Sequence, residues 1–267
     1  VSSDRWRQGA NIVFVISQMM FGYFSQITGL GLPIDRQSAK FETPVTPAGY
    51  TFAIWGVIFL GCVAYAIYQA LPRHRGDRLL RRVGWFTAAA FLGNTLWEIE
   101  SQLHGMTWLS VGIILFTLAM SGLAFRELVR VRILLTSKEH GFVLFPIGLL
   151  TGWVSVAAFA NISQACNASG AGSLGLAVND FAMLLIVLAG LLGLAVTIWS
   201  HGERSYAYAV VWGLIGVAVA NHGKWDNPNG TLTAGVMVGL LVLGLYADQI
   251  RAQLRFRHTT SNRPMTA

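Results

Sequence analysis

Charge is what this sequence has least of. Only 12% of its 267 residues are Asp, Glu, Lys or Arg, against 54% hydrophobic, whereas a soluble domain carries roughly 25% charged residues. A water-soluble chain of this length needs a charged surface over its apolar residues. This one has too few charges to make one, so it is read as an all-α integral membrane protein. Cysteine is scarce as well. Cys62 and Cys166 lack C-x-x-C spacing, which excludes a thiolate metal site and leaves them as small buried hydrophobes. There is no Walker loop, no H-E-x-x-H and no nucleophile elbow. The six His are scattered, mostly near loops, with no paired spacing for a metal or a haem iron. No catalytic residue and no metal ligand is therefore assigned, and the chain is expected to be no enzyme. The net charge of +7 does not point to nucleic acid, because Lys and Arg in a membrane protein mark cytoplasmic loops.

Long apolar runs are plentiful. A bilayer core needs about 20 apolar residues as a helix, and runs of that kind fall at about 10–31, 48–71, 84–103, 108–128, 141–165, 176–199, 206–222 and 231–250. The first is too long for a signal-peptide core and lacks an A-x-A site, so it is expected to be a retained span. Eight spans put both termini on one side. Of the 19 Lys and Arg residues, only Arg36, Lys40 and Lys224 then fall in the loops opposite the termini. That split predicts cytoplasmic termini in a cell inner or plasma membrane. Residues 251–267 are expected to form a cytoplasmic tail, loose over "FRHTTSNRPMTA". Gly148-x-x-x-Gly152 and Gly235-x-x-x-Gly239 allow close helix approach without identifying the partner.

Polar residues inside spans are costly and mark candidate sites. In "GNTLWEIES", Asn94, Trp97 and Glu98 stand at i, i+3 and i+4, on one helical face. In "WVSVAAFANIS", Trp153, Ala157 and Asn161 stand at i, i+4 and i+8. Asp180 opens the sixth span, and Asn221 and His222 close the seventh. With Trp55, these residues lie in the half of the spans away from the termini, and the other half carries almost no polar side chain. Each Asn has a bland alternative, a hydrogen bond to a neighbouring helix worth roughly 0.6–2 kcal/mol. Taken together, the set predicts a polar-lined, aromatic-walled cavity opening away from the termini. Trp212 lies too deep for a belt residue and is left without a role.

The segment "TPAGYTFAIWGVIF", with Pro47, Tyr50, Trp55 and Phe59, resembles the start of the second helix of the translocator protein / tryptophan-rich sensory protein (TspO) family. "FLGNTLWEIES" resembles the family's third-helix Leu-Asn-x-x-Trp motif, matched by Asn94 and Trp97. "LLTGWVSVAAFAN" resembles its fifth-helix pattern, with Trp153 eight residues before Asn161 and Ala157 at the small position. The likeness covers about residues 10–168. The family's first-loop Trp-Tyr and Lys-Pro-x-Trp are replaced by "PIDRQSAKFETPVTP", and three further spans follow. The resemblance implies a five-helix core over 1–168, a three-helix extension over 169–250, and a hydrophobic ligand pocket closed by the first loop. It implies a porphyrin or other tetrapyrrole as ligand, with a lipid, sterol or carotenoid-like molecule as alternatives. The ligand-binding set is then Pro47, Tyr50, Trp55, Asn94, Trp97, Glu98, Trp153, Ala157, Asn161 and Asp180. Three readings stand open: a non-enzymatic binder, sensor or carrier of a flat hydrophobic molecule; an accessory subunit of a homodimer or larger membrane complex; and a secondary transporter using Glu98 and Asp180.

Overall fold

The computed structural model describes the backbone of residues 2–261 and the side chains of residues 3–247. The described residues are helical, with no strand among them. Eight long helices carry the fold: α1 (Ser2–Phe21), α2 (Ile54–Ala70), α3 (Arg78–His104), α4 (Trp108–Arg130), α5 (Phe145–Ala168), α6 (Val178–Trp199), α7 (Arg204–Gly223) and α8 (Pro228–Ser261). Their starts follow local chemistry. The Asp77 carboxylate accepts from the backbone N–H groups of Leu79 and Leu80 at 2.8 and 3.1 Å, and the Thr107 hydroxyl accepts from Ser110 N at 3.1 Å.

Five helical stretches are long and apolar enough to cross a membrane: Gly49–Ala70, Trp108–Arg130, Ser137–Ala168, Val178–Trp199 and Pro228–Ala247. The other three long helices, α1, α3 and α7, have 20, 27 and 20 residues, roughly 30–40 Å at 1.5 Å per residue. What separates them from the five is polarity, and much of it is turned inward. Helix α3 buries Asn94, Glu98, Ser101 and Gln102 against its neighbours.

The first five long helices close a ring in which α1 packs on α2, α2 on α5, α5 on α4, α4 on α3 and α3 on α1. Helix α5 also packs on α6 and α7, and α7 and α6 pack on α8. It is therefore the hub: 78% of its apolar window is buried, against 22–44% for the other four candidate spans. Small residues permit this. A Cβ on Gly152 would collide with the carbonyl oxygen of Tyr206 in α7, and one on Gly148 with Ser205. The pair Gly148 and Gly152 thus serves contact within the chain. Gly235 and Gly239 face open space.

Three expectations need correction. The first span does not run unbroken over 10–31. Helix α1 begins at Ser2 and stops at Phe21, and a short helix, Phe24–Thr28, ends in left-handed Gly29 (φ 72°). The loose end does not begin at 256, since α8 continues to Ser261; the rest of it lies outside the described residues. Nor is the terminus-side half free of polar side chains. There the Arg7 guanidinium, 1% exposed, donates to Gln69 Oε1 at 3.3 Å and to the carbonyls of Leu80 and Arg75 at 3.0 and 3.2 Å. Asn11 Nδ2 donates to the Gly84 carbonyl at 2.7 Å, Thr87 Oγ1 to Asn11 Oδ1 at 2.7 Å, and Tyr65 OH lies 2.8 Å from Thr87 Oγ1. A Cβ on Gly84 would sit 2.6 Å from Arg7 Cδ, so a glycine there is what lets the guanidinium pass between α1 and α3. These residues lie near helix ends, where sequence alone reads a polar side chain as reaching for water; the folded chain pairs them inward instead.

Candidate functional site

Three ring helices bring one indole each to the same place. The rings of Trp55 (α2) and Trp97 (α3) stack with centroids 6.4 Å apart, and Trp55 meets Trp153 (α5) edge to face at 6.1 Å. Phe59 stacks on Trp55 at 5.2 Å, and Phe52 stands edge-on to Trp153 at 6.1 Å. Such offset and T-shaped pairs are the favoured aromatic geometries. The i, i+4, i+8 spacing read in α5 delivers Trp153, Ala157 and Asn161 to this cluster, and a cavity of ≈ 30 Å³ lies among them, lined also by Pro47, Trp55 and Trp97.

The polar atoms of this cavity are mostly spoken for. Trp97 Nε1 donates to Asn161 Oδ1 at 3.1 Å, and Asn161 Nδ2 donates to Ser110 Oγ at 3.1 Å and approaches Met106 Sδ at 3.3 Å. Asn161 thus orients Trp97 and ties α5 to α3 and α4. Trp153 is the exception. It is 2% exposed, yet its Nε1–H has no partner among the described residues. An unmade bond of a buried donor costs roughly 1–3 kcal/mol.

The remaining members of the ten-residue set lie elsewhere. Asn94 Nδ2 turns to α1, donating to Gln18 Oε1 at 3.4 Å and to Glu98 Oε1 at 3.1 Å. Glu98 lines a neighbouring cleft of ≈ 150 Å³, which shares Ile34, Phe52 and Trp55 with the indole cavity. Tyr50 is half exposed and packs edge-on against Trp212 at 5.7 Å. Asp180 is exposed in the first turn of α6 and lines neither the cavity nor the cleft. It stands in the first turn of a helix, where a negative charge is favourable beside the N-terminus.

The loop between α1 and α2 covers the cavity and is latched on several sides. Gln37 Nε2 donates to the Gln102 carbonyl of α3 at 3.2 Å, and Gln164 Nε2 of α5 donates to Ser38 Oγ at 2.8 Å. The C-terminal helices supply further latches. Asn221 Nδ2 of α7 donates to the Pro44 carbonyl at 2.6 Å, Trp212 Nε1 to the Thr51 carbonyl at 2.9 Å, and Ala48 N to the Gly216 carbonyl at 3.0 Å. Lys224 forms an ion pair with Glu42. A Cβ on Gly216 would collide with the Thr51 side chain, so the loop lies directly on α7. The sequence offered only a hint of this: on one span, a Trp too deep for the interface, Trp212, and an Asn at its end, Asn221.

The comparisons with known proteins follow this geometry. A family model described as TSPO-like protein matches residues 8–247, so its match runs through all eight long helices. Searches of curated proteins and of solved structures gave no match.

Proposed function

The chain belongs to the TSPO-like protein family, and from that premise we propose that it is a membrane-embedded, non-enzymatic binder or sensor of a flat hydrophobic ligand of tetrapyrrole type. The observation that carries this reading is the buried, partnerless Nε1–H of Trp153, a residue that lines the cavity together with Trp55 and Trp97. A donor held there without an acceptor fits a ligand that presents ring faces to the indoles and one acceptor atom to Trp153. The cavity is closed at ≈ 30 Å³, whereas drug-sized ligands occupy about 300–1,000 Å³. Binding therefore requires the loop to lift and Trp55, Phe52 and Ile34 to part, which joins the cavity to the cleft beside it.

On this reading all eight long helices cross the bilayer with both termini on the cytoplasmic side, and residues 1–168 form the ligand-holding ring. Residues 169–250 form an extension whose task is to clamp the covering loop. The polar faces of α1 and α3 turned inward support the eight crossings. The contacts of Asn221, Trp212 and Gly216 with the loop support the clamp. Of the ten residues proposed from sequence, Pro47, Trp55, Trp97, Trp153, Ala157 and Asn161 are retained as ligand-facing. Asn94 and Glu98 are assigned to the adjoining cleft and Tyr50 to the clamp; Asp180 is given no role. The transporter reading loses its support, because Glu98 and Asp180 share no cavity. The subunit reading loses half of its glycine argument, because Gly148 and Gly152 are occupied within the chain.

The test is a titration of the purified chain with protoporphyrin while Trp fluorescence is followed. Saturable quenching that disappears when Trp55, Trp97 and Trp153 are all changed to Phe supports the reading. Absent or non-saturable quenching overturns it.

A further inference from the structure

Beside the indole cavity lies the cleft that the tetrapyrrole reading leaves unused in the closed state. Glu98 forms its polar end. The carboxylate is 2% exposed; its Oε1 accepts from Asn94 Nδ2 at 3.1 Å, and its Oε2 has no partner among the described residues. Asn94 reaches on to Gln18 Oε1 at 3.4 Å, so its amide is divided between two acceptors; Gln102 Nε2 donates to the Glu98 backbone carbonyl rather than to its carboxylate, and Gln26 also lines the cleft. Gly22, at the break after α1, also lines the cleft and packs beside the buried carboxylate: a Cβ there would stand 3.6 Å from Oε1. The walls are aromatic, with Tyr23, Phe52 and the stacked pair Trp55 and Phe59, and the covering loop adds a second carboxylate, Asp35. Among the described residues, no Lys, Arg or His lines the cleft.

We propose that this cleft is a binding site for a protonated amine carried on a flat ring, with the ammonium donating to Glu98 Oε2 and the ring lying against Trp55 and Phe59. Three independent features converge on that chemistry. A buried carboxylate oxygen without a donor is expensive to leave so, and a charged N–H is the partner that most strengthens it. Aromatic faces attract a cation through their quadrupole, Trp most of all. Asp35 at the loop side adds attraction for a positive charge and repels an anionic ligand. A space of ≈ 150 Å³ suits a ligand of one or two fused rings and is too small for a tetrapyrrole. The cleft shares Ile34, Phe52 and Trp55 with the indole cavity, but the amine reading does not rest on the porphyrin one, since a porphyrin brings carboxylates and no ammonium.

The experiment is calorimetric titration of the full chain with 1-naphthylmethylammonium and, separately, with 1-naphthylmethanol, which has the same ring and a neutral donor. The expected result is saturable binding of the amine, at least about ten-fold tighter than the alcohol, the order expected of a charge-assisted bond. Glu98→Gln keeps the shape and is expected to remove that preference while leaving alcohol binding within two-fold. Asp35→Asn, on the exposed loop, is expected to reduce the preference by roughly two- to five-fold. An alcohol that binds the native chain as tightly as the amine, no saturable amine binding, or a preference that survives Glu98→Gln overturns the assignment. Should Glu98→Gln not fold, as read by near-UV circular dichroism, the Asp35→Asn chain decides: an unchanged amine preference there overturns it.

Discussion

The clamp on the covering loop makes the sharpest prediction, through Asn221→Ala. Asn221 is fully buried, and its amide makes three hydrogen bonds: Nδ2 to the Pro44 carbonyl at 2.6 Å, Nδ2 to the Val217 carbonyl at 2.9 Å, and Oδ1 from Asn227 Nδ2 at 3.0 Å. Val217 is a helical residue, and its carbonyl keeps a backbone partner. The Pro44 carbonyl and the Asn227 amide do not, and each stranded buried group costs roughly 1–3 kcal/mol. The expected loss is therefore about 2–4 kcal/mol, read as a fall in thermal midpoint on the order of 10 °C. Asn221→Asp separates hydrogen bonding from space filling. It keeps the shape but sets a carboxylate against the Pro44 carbonyl, so it should be worse than Ala. Trp212→Phe, which removes the bond to the Thr51 carbonyl at 2.9 Å, acts on the same loop. The double variant should therefore lose less than the sum of the singles, by about 0.5 kcal/mol or more. The assay is thermal unfolding in detergent together with limited proteolysis between residues 33 and 48. An Asn221→Asp chain as stable and as protease-resistant as the native one would refute the clamp.

Other outcomes are expected. Gly152→Ala forces a Cβ onto the backbone of α7 and should cost about 1–3 kcal/mol, whereas Gly235→Ala and Gly239→Ala meet open space and should be neutral or stabilising by up to about 1 kcal/mol; paired unfolding curves check both. Asn161→Leu leaves Trp97 Nε1 without its partner, while Ser110 Oγ keeps its bond to the Thr107 carbonyl, and should destabilise by about 1–3 kcal/mol, with a change in Trp emission as Trp97 loses its orientation. Asp4 precedes the apolar part of α1, and its hydrogen bonds to Arg81 at 2.6 and 2.9 Å hold its carboxyl below the ordinary 3.8. A depressed folded value means that the tie is intact above the ordinary value and is lost as pH falls through the folded one. Native thermal stability should therefore drop more than that of Asp4→Asn between about pH 4.5 and pH 2.5.

Residue spacing made much of the architecture legible. Apolar runs mark the long helices because lipid and core both demand such runs, and the i, i+4, i+8 series of α5 was enough to put Trp153, Ala157 and Asn161 on one face. Relations set by distant pairing were not legible. Asn221 meets Pro44 across 177 positions and Trp212 meets Thr51 across 161, and no local pattern encodes either. Arg7 was hidden for another reason: near a helix end, a snorkelling cation and a buried one look alike in sequence. Asp180 was ambiguous in the opposite sense, since a carboxylate at a helix start is as often a favourable end charge as a site residue. The two glycine pairs show the limit most plainly. Their spacing is the same, yet one is filled by α7 and the other by nothing among the described residues.

The account rests on Trp153 as the one donor in the indole cavity kept for a ligand. The most direct test is protoporphyrin affinity of the Trp153→Phe chain beside that of the native one, with near-UV circular dichroism as the check on fold. Phe keeps an aromatic wall and deletes the N–H, so the prediction is retained binding weakened about 5- to 20-fold, the equivalent of one hydrogen bond to a buried donor. Equal affinity in the two chains, or no binding by either, would contradict it.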